Sequence, residues 1–187
     1  VPARQRSMRA VLEHSWRLLS ARERSLLEDL TVFRGGFAEE AAQVVAGASL
    51  PELAGLVAKS CLVRRRPGRY EMHDLLRQYA ANQLDKRPAA LSAAHNRHCA
   101  LYTAKVRTWS DDLRSHCQRE AMAEMSVEEG NALAAWDWAV AQGQMQQISD
   151  AVDGLCGFYQ RGGRLQKGEM VCRQAVERLS AAVQDDT

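Results

Sequence analysis

Residues 61–72, Cys-Leu-Val-Arg-Arg-Arg-Pro-Gly-Arg-Tyr-Glu-Met, decide the fold, because the helical spacing of apolar residues stops there and resumes afterwards. The runs 61–65 and 69–72 have the length of short strands, and Pro67-Gly68 between them is a turn-forming pair. Two such runs joined by a turn predict a β-hairpin. The order of helices, hairpin and closing helix favours a winged-helix arrangement.

Four helices are predicted before the hairpin, because apolar residues recur there at three- and four-residue steps. Two of them begin with a capping box, in which a serine and the glutamate three residues later satisfy each other's backbone N–H groups. A fifth helix follows the hairpin, with Asp74 near its positive N-terminal end. The predicted helices cover residues 7–19, 20–30, 38–46, 49–60 and 75–84.

The chain beyond Pro88 is predicted to be helical throughout, and Pro88 marks a domain boundary because the residue before a proline is pushed out of helical geometry. The sequence therefore predicts a mainly α protein, with a winged-helix domain over residues 1–87 and a helical domain over 88–187. Ser126 is expected to start a new helix, since it opens a capping-box pattern. The predicted helices cover residues 89–113, 115–125, 127–142, 145–161 and 165–183.

The last two predicted helices carry the spacing of a tetratricopeptide repeat. Bulky Leu155 and Tyr159 are followed by small residues at Gly163, Gly168 and Ala175, which would let two antiparallel helices approach closely. One good copy of the pattern is visible, so a plain antiparallel helix pair is the alternative interpretation.

The composition favours a soluble cytoplasmic protein. No apolar run approaches the roughly 20 residues needed to cross a bilayer, and the net charge is only +2. The five cysteines are scattered and odd in number, so a disulfide framework is not expected. No metal site is predicted, because the histidines and cysteines lack the short spacings of zinc modules. The residues considered as ligands are His95, His98, Cys99, His116 and Cys117.

Four blocks of the first 85 residues resemble the segment that follows the nucleotide-binding core in bacterial STAND ATPases, the regulators related to plant NB-ARC proteins and apoptotic ATPases. They occur in the family's order, at residues 6–19, 30–37, 56–63 and 69–80, the last reading Arg-Tyr-Glu-Met-His-Asp-Leu-Leu-Arg-Gln-Tyr-Ala. The resemblance continues more weakly at residues 97–98, 129–139 and 161–165, which look like the helical TPR-like region of the same regulators.

The resemblance implies a role for the triplet Met72-His73-Asp74. In the family, its histidine contacts the β-phosphate of ADP and holds the closed, inactive state. His73 is accordingly the nucleotide-sensing candidate, with Met72 packing behind it and Asp74 orienting it or capping the helix. An imidazole suits this role because it has a directed N–H donor and, near its pKa of about 6.5, can add positive charge. From the triplet alone, the structural interpretation is favoured, in which His73 merely ends a strand and Asp74 caps a helix.

The sequence contains no Gly-x-x-x-x-Gly-Lys-Ser/Thr motif to hold a triphosphate, so no catalytic residue is predicted and the chain is not expected to be an enzyme. The resemblance implies an upstream ATPase core in a longer protein, with ADP or ATP and magnesium bound there and no cofactor in this part. The implied function is regulatory: coupling the nucleotide state of that core, in cis, to a protein or small-molecule signal bound by the helical repeats.

Two other functions are compatible with the residues. A winged helix can bind DNA, but residues 50–60 would then be the reading helix, and Lys59 is its only basic residue. DNA binding is therefore not expected, although hairpin arginines could contact phosphates; these are Arg64, Arg65, Arg66 and Arg69. A protein–protein interaction module in residues 89–187 is the other alternative.

Overall fold

The computed structural model describes residues 13, 15–66 and 68–185, and the protein is mainly α-helical, as predicted. The chain divides into two compact units, Val1–Ala94 and His95–Thr187. Pro88, the predicted boundary, is the first residue of a long helix that runs through this division, a position that suits its fixed φ and missing N–H. The helix predicted over residues 7–19 lies mostly outside the described residues; residues 13 and 15–17 are helical.

The first unit has the order helix, strand, helix, helix, hairpin, helix. A short 3-10 turn, Leu30–Val32, extends the first helix. The elements are α1 (Ala21–Asp29), β1 (Phe37–Ala38), α2 (Glu39–Ala46), α3 (Leu50–Ala58), β2 (Leu62–Arg66), β3 (Arg69–Met72) and α4 (Asp74–Leu84).

The predicted hairpin is present, but it belongs to a three-stranded antiparallel sheet with β3 in the centre. The third strand, β1, was not predicted because it is only two residues long, too short to show the alternation of a strand. Phe37 of β1 pairs with Tyr70 of β3. Gly36 lets the chain come this close, since a Cβ there would lie 3.0 Å from the backbone oxygen of Tyr70.

The helices α2 and α3 are related by a bend of 103° and are separated by a short turn that begins at Gly47. This angle and a short glycine-containing turn are typical of a helix-turn-helix motif. Within the described residues, no single helix is long and apolar enough to cross a bilayer. Only the combined length and composition of α2 and α3 would suffice, and the bend separates these two helices.

Apolar side chains from all the helices and strands of the first unit form its core. Two ion pairs at the surface join α1 to α3: Arg22 Nε lies 2.8 Å from the Glu52 carboxylate, and Lys59 Nζ lies 2.7 Å from that of Glu23. The fully buried core residues include Leu26, Leu27, Leu30, Phe37, Val45, Leu53, Leu56, Leu62 and Leu84.

The long helix α5 (Pro88–Asp112) is followed by the three other helices of the second unit, α6 (Gln118–Gln142), α7 (Met145–Arg161) and α8 (Leu165–Asp185). The bounds predicted for α7 are confirmed. The predicted break before Ser126 was wrong, since α6 is continuous there and the Ser126 hydroxyl donates to the Met122 carbonyl at 2.7 Å. A capping pattern inside a helix can satisfy a preceding carbonyl instead of starting a new helix.

The core of the second unit combines aromatic side chains with a buried polar network. Trp136, Tyr102 and Tyr159 are fully buried. The Tyr102 hydroxyl and the Asn131 amide both donate to the Glu128 carboxylate, at 3.1 Å and 2.7 Å. These bonds offset the cost of removing that carboxylate from water.

Close packing of α7 against α5 depends on Gly154. A Cβ at this position would lie 2.6 Å from both the backbone oxygen and the Cγ1 atom of Val106. The interface therefore excludes even a methyl group, because a backbone oxygen in a helix cannot move aside as a side-chain tip can.

Replacing Gly154 with alanine is expected to lower the free energy of unfolding by about 1–3 kcal/mol through overpacking. Urea unfolding would measure the change. Gly157→Ala in the same helix is the matched control, because its Cβ would meet chiefly the end of the flexible Arg161 side chain, at 3.1 Å. Alanine there should cost little or even stabilise the helix. Equal stabilities for the two variants would contradict the packing described at Gly154.

Candidate functional site

His73 lies at the junction of β3 and α4, with an extended backbone and an exposed side chain. Its Nδ1 atom accepts a hydrogen bond from the backbone N–H of Leu75 at 3.3 Å, so the imidazole is the N-cap of α4. Since Nδ1 is the acceptor, a neutral ring must carry its proton on Nε2. The ring therefore has a hydrogen-bond donor on the side away from the helix.

The two neighbours of His73 differ in environment. Met72 is buried and pairs with Leu62 across the sheet. Asp74 is exposed and occupies the first helical position, where its carboxylate accepts from Arg77 at 3.2 Å. Asp74 was predicted either to orient His73 or to cap the helix; the N-cap residue is His73 itself.

Two arginines that the sequence analysis did not single out lie near this junction. Arg77 follows His73 by four residues, and its backbone N–H donates to the His73 carbonyl at 2.9 Å. Arg34 lies in the loop before β1 and donates to the Thr31 carbonyl at 2.7 Å. Partial burial and the nearby charge of Arg77 both lower the pKa of Arg34. Only the four-residue spacing of Arg77 was visible in the sequence.

A small cleft lies beside these residues, lined in part by Gly35, Gly36, Met72, Asp74 and Arg77. Its volume of about 40 Å³ has room for about one water molecule. A nucleotide could not be buried inside this unit at the cleft.

The hairpin arginines have different surroundings. Arg64, Arg65 and Arg66 are exposed on β2, and Arg65 Nε lies 2.7 Å from the Glu71 carboxylate. Arg69 on β3 is half-buried and donates to the Gly36 carbonyl at 3.3 Å. Arg64 and Arg66 are therefore the better placed of the predicted candidates for contact with phosphates.

The exposed positions of α3 are apolar: they are Leu50, Pro51, Ala54 and Ala58. Glu52 on this helix accepts from Arg22 and from the backbone N–H of Ser49, and these bonds lower the pKa of Glu52 to about 2. Lys59, just after the helix, is paired with Glu23. The helix therefore presents neither the arginine nor the amide side chains that read base edges.

Potential metal ligands are not clustered in the part of the chain that the structure describes. No group of three or more histidine, cysteine, aspartate or glutamate side chains there is arranged to hold an ion.

Comparison with known proteins finds similarity to mycobacterial regulators. No protein-family model and no solved structure matches the chain. It is similar to two proteins of Mycobacterium tuberculosis strains and one of Mycobacterium bovis, each named a "putative HTH-type transcriptional regulator". The identity is 28% over 176 residues, covering 88% of this chain and 20% of each relative. The chain thus spans about a fifth of the length of the curated relatives it matches, and the similarity extends into both units.

Replacing His73 with alanine is expected to reduce the free energy of unfolding by about 0.5–2 kcal/mol, because the N–H of Leu75 loses its capping acceptor. Denaturant unfolding would measure this loss. His73→Asn is the matched variant: asparagine is a strong N-cap and should retain most of the stability while removing the imidazole. If the alanine variant is as stable as the wild type, the ring contributes no cap.

Proposed function

We propose that this chain is a non-catalytic regulatory part of a larger transcriptional regulator of the STAND type, in which the first unit places His73 beside an ADP phosphate held by a nucleotide-binding domain. The observation that carries the proposal is the position of the ring. His73 is exposed at the N-terminal end of α4, its Nδ1 is engaged by Leu75, and Nε2 remains as an outward donor. Helix N-termini favour anions, and a directed N–H adds a specific contact.

The charges around the ring also suit a phosphate. Arg77 lies on the first turn of α4, paired with Asp74, and Arg34 is close enough to Arg77 for their charges to interact. Arg77 forms an ion pair with Asp74, whose side chain is exposed to solvent. Such a pair contributes little stability, so an incoming anion could compete with Asp74 for the guanidinium. In this proposal the rest of the nucleotide is bound by another domain, because the cleft beside Arg77 has room for only about one water molecule.

The surface of α3 supports docking against protein. Leu50, Ala54 and Ala58 are exposed and recur at four-residue steps, which places them on one face of the helix. A small apolar face of this kind packs well against another domain and has no groups that bind nucleic acid. In this proposal α3 contacts the nucleotide-binding domain.

The helical unit would receive the signal. Its α7–α8 pair carries the tetratricopeptide spacing, and such helix pairs build surfaces that bind proteins or peptides. The names of the mycobacterial relatives support a role in transcription. ATP hydrolysis, with magnesium, would belong to the nucleotide-binding domain, because the chain has no phosphate-binding loop.

The proposal is tested by measuring ADP affinity in the longer protein, comparing wild type with His73→Ala and His73→Asn. Both variants are expected to bind ADP about tenfold or more weakly. Alanine has no donor, and the asparagine amide is shorter than the imidazole, so its N–H cannot lie where Nε2 lies. Basal output should rise in both. Weaker binding in the alanine variant alone would assign His73 a purely structural role as a helix cap, and unchanged affinity in both would refute phosphate sensing.

DNA binding is the second candidate function. It is favoured by the helix-turn-helix geometry of α2 and α3 and by the names of the relatives. The apolar exposed face of α3 opposes it, because direct readout in the major groove needs polar side chains at base edges. Contacts by this unit would therefore be limited to phosphates, through Arg64 and Arg66.

An electrophoretic mobility shift of this chain on random duplex DNA tests the second candidate. At about 50 mM salt and micromolar protein, we expect no retained complex. A complex that weakens in Arg64→Ala and Arg66→Ala would overturn that expectation and favour the DNA-binding function. Arg119→Ala is the matched control, since Arg119 is a highly exposed arginine in the other unit.

A further inference from the structure

We propose that Cys156 and Cys172 form a reversible oxidation site, at which a peroxide converts the two thiols to a disulfide that ties α7 to α8. Their Sγ atoms lie 2.6 Å apart. A disulfide bond is about 2.05 Å long, so the sulfurs need to approach by only about half an ångström. Both cysteines are free thiols in this structure.

The helix packing brings the two thiols together. Gly168 on α8 faces Tyr159 on α7, where a Cβ added to the glycine would lie 3.4 Å from the Cβ of Tyr159. The Cys156 thiol, three residues before Tyr159, also points toward the Gly168 carbonyl at 3.8 Å. Cys172 lies one helical turn after Gly168, so it meets Cys156 across the same close contact.

The remaining cysteines are less suited to this chemistry. Cys61 and Cys99 are buried, and burial raises the pKa of Cys99 to about 11, which keeps its thiol protonated and unreactive. Cys117 is half-buried. Cys172, by contrast, is exposed and open to a small oxidant, with Cys156 in contact behind it.

The exposed thiol reacts first. Burial and the contact with Cys172 both raise the pKa of Cys156, which keeps its thiol protonated, and Cys172 is the sulfur exposed to a peroxide. The Cys172 thiolate attacks one peroxide oxygen, the O–O bond breaks, and Cys172 becomes a sulfenic acid while hydroxide leaves and is protonated to water. The Cys156 sulfur then attacks the Cys172 sulfur, forming the S–S bond and releasing the sulfenic oxygen as a second water with the Cys156 proton. Two thiols are oxidised and one hydrogen peroxide is reduced to two waters.

The disulfide would close a short loop around the α7–α8 turn and hold the two helices at a constant separation. In a reducing compartment it would be transient, as disulfides in redox-sensing proteins are. The site is independent of His73 and of the proposed nucleotide contact, so each can fail without the other.

The test is mass spectrometry of the purified chain after treatment with hydrogen peroxide. Trypsin separates all five cysteines into different peptides, with Cys156 in 120–161 and Cys172 in 168–173. We expect intact mass to fall by two hydrogens, these two peptides to become linked, and dithiothreitol to reverse both changes. The oxidised chain should also melt about 5 °C higher than the reduced chain.

Single substitutions make the test specific. Cys172→Ser is at an exposed position and should fold normally, yet lose the cross-link; Cys156→Ser should lose it as well. Cys117→Ser is the matched control and should form the link like the wild type. Oxygen addition without the 120–161 to 168–173 link, a link to another cysteine, or a link only between two molecules would each overturn the proposal.

Discussion

The central position of β3 in the small sheet is the constraint on which the candidate site depends. Side chains of a strand alternate between its two faces, and in β3 Tyr70 and Met72 are the buried pair. The strand ends at Met72, whose partner on β2 is Leu62. The next residue, His73, is therefore on the exposed side, and the chain turns directly into α4. The burial of Met72 and the exposure of His73 both follow from the alternation of side chains between the two faces of the sheet.

The hydrogen bond at the start of α4 then determines what the exposed imidazole can do. A histidine used as an N-cap has one nitrogen committed to the helix and the other directed outward. Aspartate would also cap the helix well but, when ionised, would present no donor at all. The outward Nε2 donor is the basis of the proposed phosphate contact.

The two surfaces of the winged-helix unit have opposite chemistry. The hairpin is strongly basic, whereas the exposed face of α3 is small and apolar, with its neighbouring charges Glu52 and Lys59 already paired to α1. In a DNA-reading winged helix, the second helix of the helix-turn-helix would carry the polar groups. The unit therefore has the geometry of the motif without the polar surface residues that read base edges. In the helical unit, tight packing at Gly154 and Gly168 brings α7 close to α5 and to α8, and the contact at Gly168 also places two thiols together.

The sequence by itself determined the features that depend on residues three or four apart: the capping boxes at Ser20 and Ser49, the hairpin turn and the bounds of α7. It did not reveal β1, because a two-residue strand has no pattern of its own and exists only through pairing with Tyr70. The continuity of α6 through Ser126, the proximity of Arg34 to Arg77 and the contact between Cys156 and Cys172 were likewise decided by tertiary structure. Local hydrogen bonds leave a signal in neighbouring residues, whereas contacts between distant segments depend on how whole elements pack, and no short stretch of sequence carries that information.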